Sequence, residues 1–178
     1  RAARLCQQRL QAFNERARAA GLPEFVTRIG LDTGEATVGC VGSRERFSYT
    51  AIGPVVNFAS RLEGVNKVYG TLVMASGRTL AAAGDDIHAR CIDRVRVPGL
   101  TDDAEPLEAH ELRDDDADDT AFAAARAHYE AGRFSEAAHA FAALGDDPPA
   151  RVLHERCLRL VAAPPTQPWD GVTRLTGK

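Results

Sequence analysis

Apolar residues return at near-helical spacing through the first twenty positions. Leu5, Leu10, Phe13 and Ala17 recur among arginines and glutamines, and the pattern stops at Gly21 and Pro23. An amphipathic helix over residues 1–20 is expected. From Phe25 the period shortens. Residues 25–31 and 36–41 are short, β-branched and broken by glycine, which predicts paired strands, and residues 46–50 predict a third. Pro54, after Gly53, opens a helix, because its fixed φ suits a first turn and its missing N–H is not needed there. That helix runs through Glu63 and fades by Gly70. Residues 71–74 then predict a buried strand, Ser76 an N-cap and residues 77–83 a short helix. Residues 87–97 and 107–112 complete a strand pair, with Pro98 and Gly99 at the bend. Strands and helices alternate without the regularity of a doubly wound sheet, so the fold class is α+β.

Beyond Leu112 the pattern changes. Residues 101–119 hold ten acidic residues against Arg113 as the one arginine or lysine. The run Asp114-Asp115-Asp116 could gather a cation, but adjacent like charges repel and EF-hand spacing is absent, so 113–119 is taken as a solvated acidic linker. From Thr120 alanine and aromatic residues dominate. The order Tyr129, Gly132, Phe134, Ala137, Phe141, Pro149 resembles a tetratricopeptide helical hairpin, and a third helix over 150–163 follows. An array needs about three repeats to form a concave groove. Residues 120–163 are therefore expected to pack against the first domain or a partner. Residues 164–178 predict an extended tail anchored by Trp169.

Composition narrows the function classes. The chain has 178 residues and a net charge of −3, without the basic stripe of a nucleic-acid binder. No run of eighteen apolar residues is present, and arginines break up the N-terminal apolar positions too often for a signal peptide. The only methionine is Met74, so the sequence is expected to be the downstream piece of a longer protein. Cys6, Cys40, Cys91 and Cys157 lie far apart without metal-finger spacing, which suggests reduced thiols and a cytoplasmic location.

Phosphate-loop, dinucleotide, zinc-protease and serine-hydrolase motifs are absent. What remains is the dense stretch 28–70. Asn57 and Arg61 stand at i and i+4 on one predicted helix, hence on one face. Asn57 lies in the first turn, near the positive end of the helix dipole. An amide donor beside a five-donor guanidinium suits a phosphorylated ligand. Spacing alone also allows a bland alternative, in which Arg61 pairs with Glu63 or Asp32 and Asn57 caps locally.

The whole stretch carries more. I-G-L-x-T-G-E, V-G-x-V-G-S-x-x-R, Y-T-x-I-G-x-x-V-N-x-A-S-R-L-E and N-K-x-Y-G-T, in this order and spacing, resemble the class III nucleotide cyclases. The resemblance covers about residues 1–112. The helical segment and the tail W-D-G-V-T-R-L resemble the C-terminal ends of bacterial membrane-anchored adenylate cyclases, so a membrane is expected only through a region upstream. The resemblance implies a ferredoxin-like catalytic fold with active sites at a head-to-tail dimer interface, a second cyclase domain as partner, and ATP as substrate. It implies a two-metal site for Mg or Mn. It further implies that Asn57 orients the ribose, Arg61 stabilises charge at the α-phosphate and Thr50 meets the purine.

The departures from the pattern are specific. The family's two metal-binding aspartates and purine-reading lysine lie N-terminal to this segment, yet residues 1–27 contain neither aspartate nor lysine. Lys67 and Lys178 do not replace that lysine by position. V-R-V-P-G-L stands where V-K-G-K usually brings a lysine to the terminal phosphate, and Arg94 or Arg96 are the candidate substitutes. Asp32 is not assigned as a metal ligand. The expectation is the C-terminal portion of an adenylate cyclase, inactive alone. A non-catalytic cyclase-like dimerisation or regulatory module and a helical protein-binding module stay open.

Overall fold

The computed structural model describes residues 1–43, 46–84, 87–97, 106–113 and 118–175. The first helix, α1 (Ala2–Ala19), matches its apolar period. Strand β1 is shorter than its pattern, covering only Ile29–Leu31. The reason lies in α1. Asn14 accepts a hydrogen bond from the Phe25 N–H at 2.9 Å and donates one to the Phe25 carbonyl at 2.7 Å, and Gln7 donates to the Thr27 carbonyl. Side chains thus satisfy backbone groups that a neighbouring strand would otherwise take.

The expected pairing of 25–31 with 36–41 does not form. Strand β2 (Thr37–Gly42) instead joins β3 (Phe47–Ile52) in a separate antiparallel ribbon, while β1 lies parallel to β4 (Val73–Ser76). A period of two tells which face of a strand is buried, not which strand lies beside it. The main sheet has the order β1-β4-β6-β5-β7, from β5 (Ala89–Arg96), β6 (Leu107–Leu112) and the short β7 (Thr173–Arg174). Strands β4, β6 and β5 are antiparallel to their neighbours in that run, and β7 is parallel to β5. The bend at Pro98 and Gly99 and the run Asp114-Asp115-Asp116 lie outside the described residues.

Helix α2 (Pro54–Tyr69) crosses the sheet and is set by two glycines. Gly53, the residue before it, has φ +154° and joins β3 to α2 without a spacer. Gly30 in β1 lets α2 approach closely: a Cβ there would lie 2.0 Å from the Ala59 carbonyl oxygen and 2.4 Å from the Glu63 nitrogen. Helix α3 (Gly77–Ala83) follows β4, with the Ser76 hydroxyl accepting from the Thr79 N–H as expected of an N-cap.

Helices α4 (Thr120–Glu130), α5 (Phe134–Ala142) and α6 (Pro148–Ala162) pack in sequence on one another, with α4 touching β5 and α6 touching α2. Phe122, Tyr129, Phe141 and Leu153 join Leu62, Tyr69, Met74, Ile92 and Val95 in one contiguous apolar cluster. Trp169 anchors the tail: its indole N–H donates to the Tyr129 carbonyl at 2.9 Å, and its ring meets Tyr129 and Phe134 edge-on.

A buried polar knot sits within this cluster. One carboxylate oxygen of Asp93 on β5 accepts from Tyr69 (α2) at 2.5 Å, Thr173 (β7) at 2.6 Å and Arg156 (α6) at 2.7 Å, while the other accepts from the Arg94 N–H. Tyr129 on α4 shares a hydrogen bond with Thr173 at 2.8 Å. Four elements therefore meet at one carboxylate, and α4 joins them through Thr173. Burial pushes the Asp93 pKa up against the pull of Arg156, and pushes Tyr69 well above the ordinary tyrosine range.

Candidate active site

The three residues singled out in the sequence fall on one strand–turn–helix unit. Thr50 lies on β3, opposite Gly39, and is exposed. Three residues later Gly53 turns the chain, and Pro54 starts α2. Asn57 is in the first turn, exposed, with its backbone N–H on the Gly53 carbonyl at 3.4 Å. Arg61 follows one turn on, half-buried on the same face. Neither the Asn57 amide nor the Arg61 guanidinium makes a hydrogen bond or ion pair with another described residue.

The bland alternative named Asp32 as one partner for Arg61, and the structure engages Asp32 elsewhere. Asp32 is fully covered and accepts from Ser76 at 2.6 Å and from the Arg78 Nε at 2.6 Å, with a second Arg78 contact. Burial raises its pKa, but the Arg78 and Ser76 hydrogen bonds outweigh this and hold it below the ordinary carboxylate range. Asn57 makes no capping bond at the start of α2. Among the described residues this donor pair is thus unengaged, Asn57 in the first turn of α2 and Arg61 one turn on.

Arg61 also lines a groove of about 690 Å³ between α2, α6 and the tail, together with Val97 at the end of β5. Arg94 is not part of it. That residue lines a second groove of about 440 Å³ with Phe58, Arg78 and Glu108. Arg96 lies beside the tail, its carbonyl accepting from the Leu175 N–H at 2.9 Å. Of the two candidate substitutes for the missing lysine, Arg94 is therefore not brought to Arg61. Besides Lys67, the cations that line the groove with Arg61 are Arg156 and Arg159 on α6 and Arg174 on β7, and these three escaped the sequence reading. Arg159 has the look of a solvated helical face, and no local pattern signals where α6 docks.

The described carboxylates do not fit a two-metal site. Asp32 is committed to Arg78 and Asp93 to Arg156, and among the described residues no group of three or more His, Cys, Asp or Glu side chains could hold an ion. The β2–β3 ribbon exposes apolar side chains on both faces: Phe47 and Tyr49, 70% and 76% exposed, lie with Val38 on one, and Val41 and Ile52 on the other.

Comparison with known proteins decides the family. Residues 4–112 match the family described as the adenylate and guanylate cyclase catalytic domain, more than half of the chain. The chain belongs to that family. Among curated relatives, it is 52% identical over 99 residues to adenylate cyclase 1 of Rhizobium meliloti (strain 1021), covering 56% of this chain and 15% of that protein. It is 35% identical over 105 residues to the adenylate cyclase of Anabaena cylindrica, covering 55% of this chain and 21% of that one. The chain thus spans a small fraction of these relatives. Among solved structures, the adenylyl cyclase CyaB from P. aeruginosa superposes with a TM-score of 0.52 at 28% identity, covering 62% of this chain and 55% of that one. The mixed α+β fold expected from the cyclase motifs is the fold of this neighbour. No described helix of this cyclase domain is long and apolar enough to cross a membrane.

Proposed function

We propose that this cyclase domain is the C-terminal portion of an adenylate cyclase that converts ATP to cyclic AMP and pyrophosphate in intracellular signal transduction. The observation that carries the reading is the β3–α2 unit. It presents Thr50, Asn57 and Arg61 outward from one strand–turn–helix, with the last two unengaged by other described residues. In the reaction the 3′-oxygen of ATP bonds to the α-phosphorus and the bond to the bridging oxygen breaks. Pyrophosphate leaves with that electron pair, and the 3′-hydroxyl proton passes to solvent. Asn57 orients the ribose, so that the 3′-oxygen lies in line with the bond to be broken. Arg61 donates to the oxygens on which charge grows in the transition state. Thr50 contacts the adenine edge.

Mg or Mn would be held by carboxylates upstream of this chain in a longer parent, because the described carboxylates do not fit. The second cyclase domain of a homodimer completes the site in this reading, and the exposed apolar ribbon β2–β3 supports such a contact. The portion described here is assigned to the cytoplasm, with a membrane reached only through the parent's upstream region and no nucleic-acid partner. Residues 120–163 are assigned as a tetratricopeptide-like appendage to the domain 1–112, with 113–119 as acidic linker and 164–178 as tail.

The engaged carboxylates favour one second reading, a non-catalytic cyclase-like module that dimerises with or regulates a complete partner. A direct assay tests the assignment of the metal ligands. The pure chain with ATP and Mg²⁺ or Mn²⁺ is expected to form no cyclic AMP, because the metal ligands are not supplied. Cyclic AMP formation by the pure chain would overturn that assignment of ligands.

A further inference from the structure

Helix α2 carries Asn57 and Arg61 in its first half and ends at Tyr69, and two anchors fix its direction over the sheet. The first is on β1. Gly30 admits the α2 backbone there, and the Asn66 amide donates to the Ile29 carbonyl at 3.0 Å while its oxygen accepts from the Thr71 hydroxyl at 2.8 Å. The second is on β5, three strand positions away, about 14 Å at the ordinary spacing. It is the bond from the Tyr69 hydroxyl to Asp93 at 2.5 Å. One anchor leaves a rigid helix free to swing, and two set its axis.

The β1 anchor lies wholly within residues 4–112, the segment that matches the cyclase catalytic domain, but the β5 anchor does not. Asp93 is 1% exposed, and Arg156 of α6 balances its charge at 2.7 Å. One nitrogen of Arg156 reaches Asp93, Tyr69 at 2.9 Å and Thr173 at 3.0 Å, and the guanidinium lies 5.3 Å from the Tyr69 ring centre. Arg156 thus holds both partners of the anchoring bond and the face of the tyrosine ring. Its own position is set by α6, which is pinned to β5 at its start. The N-cap Asp147 accepts from Arg90 at 2.5 Å, nine residues and about 13.5 Å before Arg156. Helix α6 is therefore a strut fastened at two points.

A buried ion pair is a poor device for stability alone, because apolar side chains of similar volume are often as stable in the same space. What the polar knot adds is direction, since hydrogen bonds constrain angles that apolar contact leaves loose. We infer that Arg156, outside the catalytic-domain segment, is a positioning residue for the cyclase reaction: through Tyr69 it sets the direction of α2 and so the placement of Asn57 and Arg61. The helical segment then belongs to the catalytic apparatus. Its kinetic consequence rests on the proposed function, and the geometric part does not.

Two variants test this in the full chain and in the longer parent. Tyr69→Phe cuts the α2 hydroxyl and leaves the ion pair intact. Asp93→Asn with Arg156→Met removes both charges together and keeps an acceptor for the Arg94 N–H. Residual dipolar couplings of the 178-residue chain read the direction of α2 against β4 and β6. In both variants the couplings of residues 54–69 should cease to fit the wild-type direction while those of β4 and β6 still fit, with circular dichroism as the check on folding. In the parent, kcat should fall roughly tenfold to a hundredfold at near-constant KM, the order of loss that a misplacement of about 1 Å brings. A merely structural knot would lower the melting temperature alone. An unchanged direction of α2, or an unchanged kcat, in the folded variants overturns the inference. Should the paired variant not fold, Tyr69→Phe decides by the same readings. A wild-type parent that makes no cyclic AMP overturns the cyclase reading instead, and the couplings then decide the positioning role by themselves.

Discussion

Arg156 and Asp93 stand 63 residues apart in the chain and meet at 2.7 Å, with their side chains 13% and 1% exposed. The pair fastens α6 to β5, and through Tyr69 and Thr173 it also reaches α2 and β7. Removing one partner would leave the other as an uncompensated buried charge. Arg156→Met should therefore destabilise the chain by about 3–5 kcal/mol, read as a lower urea midpoint. Amide exchange should accelerate in α2 and β7 together. An unchanged midpoint would show that the knot contributes nothing and that the helical segment is held by apolar contact alone.

His110 gives a pH signature. Burial lowers its pKa below the usual 6.5, against the pull of Glu108, whose carboxylate is 3.4 Å away, while Arg126 nearby adds to the lowering. The unfolded chain thus binds this proton more readily than the folded one. Stability should be fully present above about 6.5 and fall as pH drops through the lower, folded value. In urea titrations across pH 7 to 5, His110→Gln should show a shallower loss than wild type. Equal slopes would remove His110 from the account.

In a longer parent carrying the metal carboxylates, Arg61 and Thr50 should separate kinetically. Arg61→Ala should lower kcat by two to three orders of magnitude, roughly 3–4 kcal/mol, because the guanidinium acts on charge that appears in the transition state. KM should move little. Thr50→Ala should instead raise KM or blur the choice between ATP and GTP, since the base is contacted in ground and transition states alike. Near-normal kcat in a folded, dimeric Arg61→Ala enzyme would make Arg61 a surface arginine.

How much of this was legible depends on range. Local signals served well: Gly21 and Pro23 after α1, Pro54 opening α2, Ser76 capping α3, and the i, i+4 pair Asn57 and Arg61 all lie where the pattern places them. Partner choice was not legible. Nothing in residues 25–31 told that Asn14 and Gln7 would cap their backbone, or that β1 would lie on β4 instead of β2. Gly30 looked like strand punctuation, yet its role is to let the α2 backbone pass within contact distance. Asp93, in an alternating strand, and Arg156, on an amphipathic helix, resemble surface charges until tertiary packing buries both.

The central claim is that this chain contributes Asn57 and Arg61 to a composite cyclase site. The most direct measurement mixes the pure chain with the longer parent carrying Arg61→Ala and assays cyclic AMP with ATP and Mg²⁺. The account predicts that neither component is appreciably active alone, and that activity appears and saturates as the chain is added. The same chain carrying its own Arg61→Ala should restore nothing. A stable mixed dimer with no gain in activity over the parent variant alone would contradict the claim.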